Sequence, residues 1–420
     1  MTFSLKKIGP GLLFAGAAIG VSHLIQSTRA GADFGFGLIW ALLLVNLFKY
    51  PFFQFGPRYA MATGETLLDG YKKLGKGVLL SYFIVTIATM FTIQTAVTIV
   101  TAGLAKSIFD SYYSLSIESW TIIILMICMI ILIVGKYSFL DRLMKVIIIT
   151  LTLSTIVAVA FAFNNSTEHL TVNQTFPKAY QFGFLIAFMG WMPAPLDISI
   201  WHSIWAIEKQ KSEKAYTVQS SLFDFNIGYI TTIILGLAFL ALGALVMFES
   251  GNSFSSKASV FSTQLISIYT KSLGTWSYII IAIAAFTTMF STTLTTLDAS
   301  PRAMAKTTQL LFENITKNYY LFWIIILTIG TIFIFLYFLA DMALLITIAT
   351  VLSFVTSPLY AIANYVLISS KHTPKPWRPS VKLHIISILG ILFLIGFSIW
   401  YIVIQKDVFI HFYEWLSLLF

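Results

Sequence analysis

A chain of 420 residues that is 58% hydrophobic, 16% aromatic and only 10% charged lacks the polar surface that a soluble fold of this size requires, so lipid must be its solvent. The formal net charge of +9 would suit nucleic acid or an acidic partner, but the basic residues gather on one side of successive apolar runs, and no nucleic-acid partner is expected. The single cysteine, Cys128, lies inside an apolar run, which excludes an intrachain disulfide framework and a cysteine-based metal cage.

The apolar runs fall near 10–32, 36–62, 77–107, 118–135, 139–163, 179–205, 218–248, 276–299, 319–338, 341–368 and 382–404. With their flanks they approach or exceed the ~20 residues that cross a hydrocarbon core. Lys6 and Lys7 precede the first run in the manner of a secretory leader, yet Gly9-Pro10-Gly11 opens that run and ten more follow, so cleavage is not expected. The pattern predicts an all-α integral membrane protein of about eleven transmembrane helices, one polytopic domain over 1–420.

Two runs carry breakers in their middle. In the first, Gly16, Gly20, Ser22 and His23 interrupt the apolar sequence; in the sixth, Gly190-Trp191-Met192-Pro193-Ala194-Pro195 does so more strongly, because each proline removes an amide donor. A break inside hydrocarbon frees backbone groups that protein, water or a ligand must satisfy, so breaks mark cavities. Two of them five helices apart predict a 5+5 inverted repeat with a midplane site between the first and sixth helices. The expected limits are about 9–163 for repeat one and 179–368 for repeat two, with an extra helix at 382–404.

The basic residues set the expected orientation. Lys6, Lys7, Lys72, Lys73, Lys76, Lys136, Arg142, Lys145, Lys209, Lys211, Lys214, Arg302, Lys306, Lys317, Lys371, Lys375, Arg378 and Lys382 fall on one side if the N-terminus is cytoplasmic. A multi-pass protein of the cell (plasma) membrane, with its C-terminus outside, follows. The stretch 407–420 is either a short amphipathic helix on the outer surface or a frayed end.

Charges within or beside the runs are functional by default, unless they lie near a helix end and reach water. Arg58, Asp33 and Asp298 take the second reading; Lys49, ahead of Tyr50-Pro51, is deeper and calls for a partner such as Asp224 or another carboxylate. Asp197, two residues beyond Pro195, either caps the second half-helix or supplies a carboxylate to the site. His202 reads as a pathway or packing histidine.

The first two runs also carry Ala30-Gly31-Ala32-Asp33-Phe34-Gly35 and Ala62-Thr63-Gly64, and the later ones Met192-Pro193, Asp224 and a Ser/Thr-rich stretch from Thr287 to Thr296. With Gly9-Pro10-Gly11, these residues resemble the Nramp family of proton-coupled divalent-metal transporters. The resemblance implies the LeuT-type fold, alternating access and a metal-ion cargo. It also exposes departures: the family's Asp-Pro-Gly-Asn in the first break becomes Gly20-Val21-Ser22-His23, so the metal-binding carboxylate falls on Gly20 and the amide ligand on His23. In the sixth break the family's Met-Pro-His becomes Met192-Pro193-Ala194, which keeps the thioether and loses the histidine. Gln94 and Val97 stand where the family's third helix bears acidic residues, and no charge lies between Tyr320 and Phe338.

The candidate substrate-binding residues are therefore Gly20, Ser22, His23, Met189, Met192, Ala194 and Asp197, with His23 and Met192 the candidate metal ligands. Such a site would be soft and weakly charged, favouring a transition metal over Mg or Ca; manganese or iron transport of the family's usual kind is not expected. Two half-helix N-termini beside a protonatable histidine would equally suit a small anion, an amino acid or another organic solute. Coupling falls to His23, Asp197, His202 and Asp224, with H+ or Na+ as the driving ion and no cofactor. No Gly-x-x-x-x-Gly-Lys-Ser/Thr, His-Glu-x-x-His or Gly-x-Ser-x-Gly occurs, so ATP-driven transport and an intramembrane enzyme are not expected. A receptor that binds solute without moving it is a third class. The partners expected are the lipid bilayer and a small solute or metal ion.

Overall fold

The computed structural model describes residues 9–110, 112–134, 137–165, 173–178, 181–248, 254–312, 318–337 and 342–404, the side chains of 137–148, 165 and 272 excepted. Lys6, Lys7, Lys136, Lys317 and the stretch 407–420 lie outside the described residues, as do the side chains of Arg142 and Lys145.

Among the described residues the regular structure is helical. Helices α1 (Pro10–Ala18) and α2 (Thr28–Phe34) are joined by a π-helical stretch, Ser22–Ser27, and bend by 49°. There follow α3 (Ile39–Thr63), α4 (Leu67–Leu74), α5 (Lys76–Phe109), α6 (Ile117–Val134), α7 (Tyr137–Asn165), α8 (Phe182–Trp191) and α9 (Ile198–Ser212). The chain continues with α10 (Val218–Val246), α11 (Ala258–Leu273), α12 (Tyr278–Leu311), α13 (Tyr320–Tyr337), α14 (Met342–Ser369) and α15 (Val381–Ile404).

Eight of these helices are long and apolar enough to cross a bilayer alone, and the α1–α2 pair passes as a broken span. With α7 and the α8–α9 pair they group into the eleven crossings expected from the sequence. The boundaries differ where composition changes inside a helix. Helix α12 runs on past Pro301 to Leu311 and α9 reaches Ser212, because polar residues beyond the lipid still continue the backbone ladder. Helices α4 and α11 were hidden in connecting stretches. Helix α4 is nucleated by a reciprocal capping box between Thr66 and Asp69, and α3 ends just before it on Gly64, in the left-handed conformation at φ 75°.

The packing partners exchange as two oppositely oriented repeats require. The first crossing leans on α10 and α7, the seventh and fifth crossings; the sixth leans on α3 and α14, the second and tenth. Helices α5 and α12, the third and eighth, pack on each other. This is the LeuT-type arrangement, with both broken crossings enclosed by the others.

Glycines make the first of these contacts. A Cβ on Gly11 would lie 2.1 Å from the Asp224 carbonyl oxygen, and one on Gly228 would lie 2.1 Å from the Gly11 carbonyl oxygen. Beyond the break, Gly31 and Gly243 give the same closeness: added Cβ atoms would stand 2.0 Å from the Leu240 oxygen and 2.1 Å from the Thr28 oxygen. Both halves of the first crossing thus touch α10 backbone to backbone, the small-residue packing that lipid-embedded helices use.

Candidate substrate site at the two helix breaks

Helix α1 ends where Ile19 turns to φ −79°, ψ 90°, leaving carbonyls of its last turn without helical donors. Ser22 Oγ lies 2.7 Å from the Ala18 carbonyl and 2.7 Å from His23 Nδ1. Thr292 of α12 brings its hydroxyl within 3.3 Å of the Ile19 carbonyl. A Cβ on Gly20 would meet Thr292 Cγ2 and Oγ1 at 2.9 Å, so the room for a side chain at position 20 is already taken.

His23 is fully buried, and its Nε2 stands 3.0 Å from the Thr232 carbonyl on α10. A carbonyl oxygen only accepts, so Nε2 carries a hydrogen. The Ser22 hydroxyl has one hydrogen and two neighbours. With neutral His23 it donates to Nδ1; with charged His23 it accepts from Nδ1 and donates to the Ala18 carbonyl. Either way, neither ring nitrogen is free to ligate a metal while these bonds stand.

The second break is built around Met192, in extended conformation at ψ 123°, and a cis bond to Pro193. Met192 is fully buried, as is His23, and both border the space beside Gly236 of α10. A Cβ on Gly236 of α10 would lie 3.4 Å from Met192 Sδ and 3.8 Å from His23 Cδ2. The two candidate metal ligands therefore converge on Gly236, although they are 169 positions apart in the chain (192 − 23).

A cavity of about 20 Å³, room for roughly one water, lies between the breaks. Gly20, Ser22, Trp191, Pro195 and Thr292 line it; His23 and Met192 stand outside its wall. Asp197 faces a second, smaller cavity with Thr89, Ser353, Thr356 and Tyr360, and Ile93 and Pro195 border both spaces. Asp197 occupies the N-cap position of α9 without making a capping bond, and its Oδ1 is buried without a partner. Of the two sequence readings of Asp197, the cap is not formed here.

The other candidates are dispersed. Met189 is buried, and it is its backbone carbonyl that makes polar contact; the same holds for Ala194. His202 sits in an aromatic box, stacked on Phe14 at 5.6 Å and close to Phe225 and Trp205, with both ring nitrogens unpartnered. Asp224 clasps the start of α1: it accepts the Gly11 amide at 2.8 Å, the Gly9 amide at 3.2 Å and the Tyr216 hydroxyl at 3.1 Å. The four candidate coupling groups therefore occupy separate places.

Two expectations need correction. Lys49 does not pair with Asp224 or any carboxylate among the described residues; its ammonium is bonded to carbonyls of the second break. Asp298 does not reach water: it is 2% exposed, bonded by Arg302 at 2.7 Å and by the Tyr320 hydroxyl. The aromatic run that follows Lys49 packs inward, with Phe52, Phe53 and Phe55 fully buried. Gln94 donates to Thr98 at 3.2 Å and to the Thr293 carbonyl at 3.3 Å, tying α5 to α12. Sequence reasoning missed Gly236, for which a lone glycine in an apolar helix was the one available signal; Thr292 lies in the Ser/Thr-rich stretch that the sequence singled out.

Residues 11–404 match the family described as natural resistance-associated macrophage protein-like, Nramp. The chain belongs to the Nramp family. An uncharacterised protein of Pasteurella multocida (strain Pm70) is 34% identical over 406 residues, covering 95% of this chain and 92% of its own. A manganese transporter of Eremococcus coleocola superposes with a TM-score of 0.71 at 14% identity, over 96% of this chain and 87% of its own. MhsT in complex with L-phenylalanine does so with a TM-score of 0.63 at 14% identity, over 93% and 98%. Family membership and these neighbours place the Nramp chain in a multi-pass membrane protein of transporter fold; among its described residues, no three His, Cys, Asp or Glu side chains gather as a metal cluster.

Proposed function

We propose that this Nramp-family chain is a secondary active transporter that works by alternating access and carries a transition-metal ion through a site altered from the family pattern. The observation that carries the reading is that Met192 Sδ and the His23 ring, one from each break, both lie beside Gly236. A thioether, an imidazole and neutral carbonyls form a soft donor set with little charge, which selects against Mg and Ca. The inter-break cavity of about 20 Å³, which His23 and Met192 do not line, is too small for an amino acid as it stands. For His23 to bind cargo it must release Thr232 or Ser22, so metal entry and rearrangement of the first break are one event.

In this reading protons move through His23 and Asp197, the break residues with a titratable side chain. Cation binding disfavours charged His23, so uptake of a metal releases a proton. The repeats span about 9–163 and 179–368, with 382–404 appended. The N-terminus faces the cytoplasm of a cell bounded by this membrane. In support, Gly9 lies beside Lys209, and Lys306 pairs with Asp69 at 2.8 Å, so basic residues from distant runs gather at one end.

The test is a thermal-shift screen of transition metals, Mg, Ca, amino acids and small anions on the purified chain, followed by uptake into proteoliposomes. Saturable transition-metal uptake that Met192→Ala and His23→Ala each reduce is expected. Stabilisation by an amino acid or anion instead, or metal uptake indifferent to both variants, would overturn the reading; metal binding without uptake would make the chain a receptor.

A further inference from the structure

Lys49 lies on α3 with no exposed surface, and its ammonium points into the second break. Nζ donates to the carbonyls of Met189 at 2.8 Å, Gly190 at 2.7 Å and Ala194 at 3.5 Å. Three hydrogens meet three acceptors. Two of those carbonyls end α8, whereas the third comes from beyond Pro193, so one charge holds both sides of the break. The sequence explains why the acceptors are vacant: the Met189 carbonyl would bond the amide of residue 193 in a continued helix, and proline has none. The Phe354 ring, 5.9 Å from Nζ, adds its face to the enclosure.

A cap of the α8 C-terminus would need only the first two contacts. The Ala194 carbonyl makes the arrangement a cage of neutral oxygens at a broken helix in mid-membrane, the chemistry that holds a free monovalent cation when no side chain supplies one. We propose that Lys49 is a tethered cation, its ammonium filling the carbonyl cage of the second break so that no free sodium or potassium ion binds there. Lysine suits this place because its ammonium is a compact point charge on a flexible stem. The structural claim stands on the break alone; its consequence for coupling, that the drive falls to protons, rests on the transport reading above.

The experiment is thermal unfolding of the full chain in detergent, titrating NaCl or KCl from ~1 to ~300 mM against choline chloride at constant ionic strength. The parent Tm is expected to stay flat. Lys49→Met should unfold earlier at low sodium and regain about 3 °C or more, saturably, as sodium or potassium enters the vacated cage. Lys49→Ala should recover in the same way with methylammonium chloride. A saturable sodium or potassium response in the parent overturns the proposal. So does a folded Lys49→Met that ignores both ions, or failure of both variants to be recovered folded in sodium, potassium or methylammonium, since an emptied cage must accept a replacement. The readout is ion-dependent stability and not uptake, so failure of the metal-cargo reading leaves it standing.

Discussion

Thr292 stands 2.9 Å from the point where Gly20 would carry a Cβ, and its hydroxyl reaches the Ile19 carbonyl at 3.3 Å. One residue from α12 thus fills the space of a missing side chain and serves a carbonyl that the break exposes. The space that a side chain at position 20 would need is therefore packed and not empty.

Gly20→Asp alone is therefore expected to destabilise the protein by roughly 1–3 kcal/mol through overpacking against Thr292. Gly20→Asp combined with Thr292→Ala should recover much of that loss and bind manganese more tightly than the parent. Thermal unfolding and calorimetric manganese titration of the three proteins check this. Equal destabilisation of single and double variants would show that Thr292 is not the obstacle.

Gly228→Ala should be among the more damaging single substitutions in α10, since its added carbon would stand 2.1 Å from the Gly11 oxygen and backbone cannot give way as a side chain does. Asp224→Ala should also lower the Tm, because it strands the buried amides of Gly9 and Gly11 at about 1–3 kcal/mol for each unsatisfied group. Gly77→Ala, with nothing within 4 Å of the added carbon, is the control expected to change little.

Gly236→Val should leave the fold intact at modest cost and weaken cargo binding at least tenfold, because the new methyls fall where Met192 Sδ and the His23 ring converge. Binding measured by thermal shift, next to unfolding without cargo, separates the two effects. Full-strength binding in this variant would remove Met192 and His23 from the site.

Outside the membrane, Asp69 links α4 to α12 through Lys306 at 2.8 Å. Burial raises the cost of its charge, but the Lys306 ammonium and the Thr66 bonds outweigh that and hold its pKa below the ordinary 3.8. A carboxyl depressed on folding contributes stability that is complete above the unfolded value and lost as pH falls through the folded one. The acid limb of stability below about pH 4 should therefore be shallower in Lys306→Met than in the parent. Unfolding midpoints measured from neutral pH down through this window test the sign.

The fold was legible because its signals are long and redundant. Eleven apolar runs, prolines at 193 and 195 and glycines at 16 and 20 each state their part locally. The site was legible only at its ends. That Gly20 and His23 stand in one break and Met192 in the other can be read from the sequence, but that Met192 and His23 both lie beside Gly236 depends on the packing of α10. Lys49 shows the limit most clearly. A buried lysine asks for a countercharge, and Asp224 was a reasonable candidate, but Asp224 is engaged with the amides of α1 while Lys49 found uncharged oxygens. Burial prescribes satisfaction, not the sign of the partner, and backbone acceptors leave no residue type to search for.

The paired glycine contacts on α10 also determine what moves. Because Gly228 grips Gly11 on one side of the break and Gly243 grips Thr28 on the other, the first crossing cannot hinge freely at Gly20 without prising backbone from backbone. The sixth crossing is held instead by α3 and α14. In the transport cycle proposed above, any motion that parts the two broken crossings would carry α1, α2 and α10 as one body, because their backbones touch on both sides of Gly20.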